Sequence, residues 1–416
     1  MTLPEQVLDP GAAVPAAAPA RRLHSLDGLR GFAAASVAFH HALIIAIPVL
    51  FQAYRQAAPV ADTGSLTWWV TYTPLHVTWL GAEAVFVFFV LSGIALTLPV
   101  LRRGMDWWRY YPSRLVRLYL PAWASLLWAT ALTAAVFWFS SDKGIFSGRE
   151  HVLSASGIAR DAALVNGVSD LDGVLWSLQW EVLFSLLLPL FLLFGTVARR
   201  LWYVKWLVVL AVPLVGVDHG RFRYALLYLP MFAAGVLVAV ELDRIRGWAD
   251  RIAASARGGL VWVALLVVDV LLLTTPWLLR NTTVSGRELF AAHDVSFAGS
   301  VLLVFLAVFS PLGRRITESR VAQWLGVISF SLYLTHAVFL EFVSVVVPHA
   351  AVVLLVGLPL AVGIAVVFQR YVEAPSHRLA QRIKRRSGSV PPPASEAPAD
   401  ETALEREETR PVAAQR

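Results

Sequence analysis

Ten stretches of the 416-residue chain are apolar over roughly 17 to 25 residues, the length at which a helix crosses the hydrocarbon of a bilayer, and no other feature limits the fold as strongly. They lie near 31–50, 75–98, 118–139, 175–197, 201–217, 222–240, 259–279, 289–309, 324–347 and 350–368. Inside lipid each backbone N–H and C=O must be satisfied within its own segment, so runs of this length predict helices. A mean hydropathy of +0.64, with 57% of residues hydrophobic and 15% charged, leaves more apolar surface than a water-soluble core can bury. The expected fold class is therefore all-α and polytopic, with about ten transmembrane helices and both termini cytoplasmic.

The distribution of charge supports that topology. Cytoplasmic loops hold an excess of Lys and Arg, and with both ends inside, 27 of the 35 basic residues fall on the inner side and 8 on the outer. In so apolar a chain the net charge of +7 speaks for anionic lipid and not for nucleic acid. The Ala/Pro-rich segment 1–22 and the Pro- and charge-rich segment 378–416 are expected to be disordered cytoplasmic tails flanking a membrane domain over 23–377. With no cysteine, thiol chemistry, disulfides and cysteine-ligated metal are excluded.

A charged side chain at a helix centre costs roughly 2.5 to 3.5 kcal/mol on insertion scales, so the few ionisable groups at membrane depth are the candidates for function. Arg30 and His41 are eleven residues apart in the first span, ~16 Å of helical rise, which sets a cation at the cytoplasmic edge and an imidazole near the bilayer's middle on one face. Snorkelling and interhelical hydrogen bonding are the plainer roles for the pair. Glu83, amid apolar residues, is either a structural ion-pair partner or a substrate contact. Arg114 and Arg117, three apart, share a helix face and could clamp phosphates, or simply be inner-side charge. Glu181, flanked by Trp176 and Trp180, suits a general base, an orienter of His41 or a structural ion pair. Ser329, Tyr333 and His336 fall on one face at spacings of four and three, as substrate contacts or as a hydrogen-bonded seam. Near the end of the tenth span Pro375 is expected to stop the helix, with Glu373 structural. There is no Gly-rich phosphate loop, no pair of His at metal-ligand helical spacing and no serine elbow; adjacent His40 and His41 point ~100° apart. The chemistry must come from His, carboxylate and Arg, with neither metal nor tightly bound cofactor expected.

Taken together, Leu26-Asp27-Gly28-Leu29-Arg30-Gly31 with His41, Phe88-Phe89-Val90-Leu91-Ser92-Gly93, Arg114-x-x-Arg117, Trp176-Ser177-Leu178-x-x-Glu181, Ser329-x-Ser331-Leu332-Tyr333-Leu334-x-His336 and Tyr371-x-Glu373-x-Pro375 resemble the integral-membrane acyltransferase family 3, in family order from about Leu23 to Pro375. Members move an acyl group, commonly acetyl, from acyl-CoA on the cytoplasmic side to a hydroxyl of a polysaccharide, peptidoglycan or, in some bacteria, a macrolide. The resemblance implies that His41 is the base, Arg30 an essential helper, Arg114 and Arg117 contacts to the CoA phosphates, and Glu181 an active-site carboxylate. It implies a multi-pass protein of the bacterial cell membrane whose partners are acyl-CoA, a saccharide or macrolide acceptor and the bilayer. Larger members append an outer hydrolase-like domain; this sequence stops soon after the tenth span, so transfer to an external polymer is expected within this domain or through a partner. The competing expectation is a transporter or flippase without covalent chemistry, which would use the same intramembrane His, Glu and Arg. The polar outer loop 140–166 is the candidate for acceptor selectivity.

Overall fold

The computed structural model describes residues 23–385 except 57, 148, 150–152, 166, 169–170 and 283. Tail 1–22 and the part of tail 378–416 beyond 385 lie outside the described residues, as does part of loop 140–166. Among the described residues there are helices and no strands.

Helix α1, His24–Ala46, starts seven residues before the apolar run does. Two short helices, α2 (Pro48–Tyr54) and α3 (Leu66–Tyr72), and a 3₁₀ turn at Pro74–Trp79 fold over its far end. The second long helix, α4, is Ala82–Arg103, and the segment 75–81 that the apolar run assigned to it belongs to the turn. Then come α5 (Trp107–Phe139), the short α6 (Ala155–Ala163) inside the outer loop, and α7 (Leu175–Thr196). Helix α8 is Trp202–Gly216, α9 Arg223–Val240, and α10, Leu242–Ala254, is short and amphipathic. They are followed by α11 (Gly258–Arg280), α12 (Gly286–Phe309), α13 (Pro311–Thr317) and α14 (Arg320–Val346). The last stretch joins α15 (Ala350–Val352), α16 (Leu358–Phe368) and α17 (Ala374–Arg385) through π-helical segments at Val353–Gly357 and Gln369–Glu373.

Eight of these helices, and the continuous stretch from α15 to α17 as a ninth span, are long and apolar enough among the described residues to cross a membrane, which makes the chain an all-α multi-pass membrane protein. The run at 201–217 is the exception to the ten expected. Its helix α8 has 15 residues, ~22 Å of rise against ~30 Å of hydrocarbon. Both of its ends are nonetheless tied to neighbouring spans. Lys205 Nζ donates to the carbonyls of Gly195 and Val197 at the end of α7, and Asp218, just past α8, pairs with Arg287 in the first turn of α12.

Two close approaches bring the helices into register. A Cβ added to Gly31 would stand 2.5 Å from the Gly326 amide nitrogen, and one on Gly326 would stand 2.4 Å from the Asp27 carbonyl, so α1 and α14 touch backbone to backbone. Likewise a Cβ on Gly93 would meet the Phe232 carbonyl at 2.3 Å, welding α4 to α9. Lipid supplies no hydrophobic drive between helices, and small residues that let backbones meet supply dispersion contacts instead.

The chain does not leave helix at Pro375. The π-helical turn at Gln369–Glu373 precedes it, and its wider turn accommodates the proline inside a continuous helix. The helix therefore continues eight residues past the expected domain boundary at 377.

Candidate functional site

The Gly31–Gly326 contact sets α1 against α14 so that His41 and His336 meet deep in the bundle. His336 Nε2 lies 3.0 Å from His41 Nδ1. His336 Nδ1 is 2.8 Å from the Leu332 carbonyl, one turn back on its own helix, and His41 Nδ1 is 3.0 Å from the Val37 carbonyl. A carbonyl only accepts, so with both rings neutral His336 Nδ1 carries the hydrogen and its Nε2 offers a lone pair. His41 Nδ1 then faces two acceptors and donates, which leaves His41 Nε2 as the bare lone pair. Two backbone carbonyls thus select the tautomer in which His41 is a base.

A cavity of ≈ 630 Å³ opens at the arginine-rich end. Arg30 of α1, Arg114 and Arg117 of α5, Ser177 and Glu181 of α7, Ser329 and Tyr333 of α14, and Glu373, His377, Arg378 and Gln381 at the end of the chain line it. The start of α1 and the start of α17 both border this one opening, as termini on the same side require. At its inner wall Tyr333 Oη lies 2.6 Å from Ser177 Oγ and 3.3 Å from the Val174 carbonyl, and its ring centroid is 6.1 Å from that of His336. Tyr333 thus touches both the cavity and the histidine pair.

Charge in the cavity is unevenly matched. Arg114 is almost wholly buried: its Nη2 donates to Glu181 Oε1 at 2.5 Å and its Nε to Ser185 Oγ at 3.0 Å, while Ser92 Oγ donates to the same carboxylate at 3.3 Å. Glu373 accepts from Ser331 Oγ at 2.6 Å. Among the described residues Arg30, Arg117 and Arg378 form no ion pair. Glu373 is within electrostatic reach of Arg30 and Arg117 but makes no close ion pair with either, so guanidinium groups gathered in a partly enclosed space keep donors free for a polyanion.

Several sequence expectations are corrected by this geometry. Glu181 does not orient His41; it holds Arg114, and the groups that orient His41 are His336 and the Val37 carbonyl. His336, expected among substrate contacts with Ser329 and Tyr333, turns instead to His41, while Ser329 and Tyr333 do line the cavity. Arg30 stands at the cavity mouth with Arg117, three turns from His41 along α1. Glu373, read as structural, does hold Ser331 and also borders the cavity. Glu83 lies outside it, 1% exposed in the first turn of α4 at the opposite end, with Oε2 unpartnered among the described residues.

That opposite end holds a second polar cluster that sequence reading missed. His76 is fully buried, stacked on Trp277 with centroids 4.2 Å apart and edge-on to Trp79 at 4.4 Å. His40 Nδ1 donates to the Trp79 carbonyl at 3.0 Å, and Arg280 lies over the Trp277 ring at 4.1 Å while donating to the carbonyls of Ala53 and Tyr54. Burial holds the His76 imidazole well below its usual pKa and therefore neutral. Also missed were His377, Arg378 and Gln381, whose spacing of three and four along α17 was the available signal.

The family model described as an acyltransferase domain, that of acyltransferase family 3, matches residues 23–370, well over half of the chain. Comparison with curated proteins and with solved structures found no match.

Proposed function

The chain belongs to that acyltransferase family, and on that premise we propose that it is a membrane-embedded O-acyltransferase of the bacterial cell membrane. It moves an acyl group, in the first instance acetyl, from acyl-CoA at the cytoplasmic, arginine-rich end to a hydroxyl of a saccharide or macrolide acceptor. Acyl-CoA is a co-substrate, and no tightly bound cofactor is invoked. The observation that carries the reading is the His41–His336 pair, whose tautomer leaves His41 Nε2 bare, with Tyr333 linking it to a cavity lined by several guanidinium groups.

The steps follow from those groups. Arg30 and Arg117 hold the CoA phosphates, with the thioester directed inward toward Tyr333. His41 Nε2 takes the acceptor hydroxyl's proton as the oxygen attacks the thioester carbonyl, a general-base contribution of roughly 10²- to 10⁴-fold. The C–S bond breaks, the C–O bond remains, and the departing CoA thiolate takes the proton back from the His41 imidazolium. His336 Nε2 and the Val37 carbonyl accept from Nδ1–H throughout, so the ring keeps its orientation as it charges. Arg114, tied to Glu181, shapes the cavity floor and leaves Arg117 the freer phosphate contact.

The test is release of free CoA from acetyl-CoA by the purified protein in lipid, with a panel of sugar and macrolide acceptors, comparing the native chain with His41→Ala. Turnover present in the native chain and lost in a folded variant supports the reading. No turnover with any donor, together with substrate flux across vesicles, would replace it with a transporter.

A further inference from the structure

The arginines that the motifs pick out occupy the inner part of the cavity, yet its rim is built by a helix that no motif covers. Helix α17 continues from the π-helical turn at Gln369–Glu373, packs along α5, and has Ser376 and Ala380 buried. The opposite side of the helix carries His377, Arg378 and Gln381 to the cavity. Lys384 lies a further turn out, within electrostatic reach of Arg114 and Arg117. From Arg378 to Lys384 the helix rises ~9 Å along α5. Arg378 and Lys384 form no ion pair among the described residues.

We propose that α17 is the 3′-phosphate clamp of the donor site, with Arg378 and Lys384 binding the phosphomonoester on the ribose of CoA and Gln381 supplying a neutral hydrogen bond between them. The proposal rests on the acyl-CoA reading above and follows from the linear order of that molecule. With the thioester near Tyr333 and the pyrophosphate at Arg30 and Arg117, the next group outward is the nucleoside with its 3′-phosphate, and the next cations outward are those of α17. A phosphomonoester is close to doubly charged at neutral pH and accepts bidentate bonds from a guanidinium, which a diester linkage deeper in the chain does less well. Arg378 and Lys384 are exposed, so replacing them leaves the packed face of α17 intact.

The experiment compares acetyl-CoA with acetyl-dephospho-CoA, which lacks only the 3′-phosphate, on the native protein in nanodiscs and on Arg378→Gln/Lys384→Gln. The native protein is expected to show a KM roughly 10- to 100-fold higher for the dephospho donor, the weight of one or two charge-assisted hydrogen bonds. The double variant should raise KM for acetyl-CoA to the dephospho value and leave the dephospho KM where it was. Exposed Arg251 of α10, away from the cavity, is the control: Arg251→Gln should preserve the native ratio. A double variant that raises both KM values equally, or keeps the native preference, overturns the clamp. Equilibrium binding of adenosine 3′,5′-bisphosphate against 5′-AMP decides the same point without turnover, so failure of the acyltransferase reading is separable from failure of this one. No preference between the two nucleotides in the native protein also overturns it.

Discussion

The two ends of the bundle are built from the same residue types and treat them in opposite ways. At the sealed end Arg280 lies on Trp277 and donates to two backbone carbonyls, His76 is enclosed by two indoles, and Glu83 is buried beside them. At the open end Arg30, Arg117 and Arg378 line a cavity and form no close ion pair among the described residues, with Glu373 only within electrostatic reach of the first two. A cation satisfied by ring faces and carbonyls has its interactions complete and serves the fold. One left facing others of its sign stores repulsion that a phosphate group relieves. The kind of residue at membrane depth is thus a weaker guide to function than whether its partners are already supplied.

The largest effect is expected between the adjacent histidines, His40 against Trp79 and His41 against His336. His41→Ala is expected to lower turnover by roughly 10²- to 10⁴-fold, whereas His40→Ala should lower the melting temperature and change kcat only a few-fold. Equal losses of turnover in melting-matched samples would erase the distinction. Next in size is Gly31→Ala, which removes no chemical group but forces α1 from α14. A displacement of about 1 Å at the His41–His336 contact is expected to cost on the order of 10² in kcat. Native-like kcat with native melting would show that the seam does not set the pair's geometry.

A smaller effect separates the arginines themselves. Arg117→Gln should raise KM for acetyl-CoA about tenfold, near the low end for a charge-assisted hydrogen bond. Arg280→Gln should leave that KM unchanged and lower stability. The comparison fails if the KM values of the two variants move together. The smallest effect concerns Asp172, in the loop before α7 on the sealed side, where burial pushes the carboxyl up to about 7. Its unfolded value is ~4, so between pH ~4 and ~7 the folded chain holds a proton that the unfolded chain has lost, and stability falls as pH rises through that window. Asp172→Asn should therefore flatten the fall, raising the melting temperature more at pH 8 than at pH 5. An equal loss at both pH values would mean the carboxylate is held ionised by partners.

The spans were legible because lipid imposes one rule, backbone satisfaction by helix, and the rule writes itself as long apolar runs. Their pairing was not, since contacts such as Gly31–Gly326 join residues hundreds of positions apart and leave no periodic trace. The same limit applied at the site. Arg114, Arg117, Ser329 and Tyr333 were readable as faces of single helices, and the cavity does gather them. That Glu181 would take Arg114, and His336 would take His41, depended on which helices touch. The extension of α17 was hidden because a proline following an apolar run reads as a stop, whereas a π-helical turn ahead of it lets the helix go on.

The brevity of α8 bears on the lipid itself. A helix that falls ~8 Å short of the hydrocarbon thickness makes the surrounding leaflets dimple, at a cost of fractions of a kcal/mol per ångström of mismatch. Leu207 and Leu214 hold its lipid-facing side exposed. A flank of this kind, if the leaflets thin to meet it, should draw the protein into bilayers of shorter acyl chains.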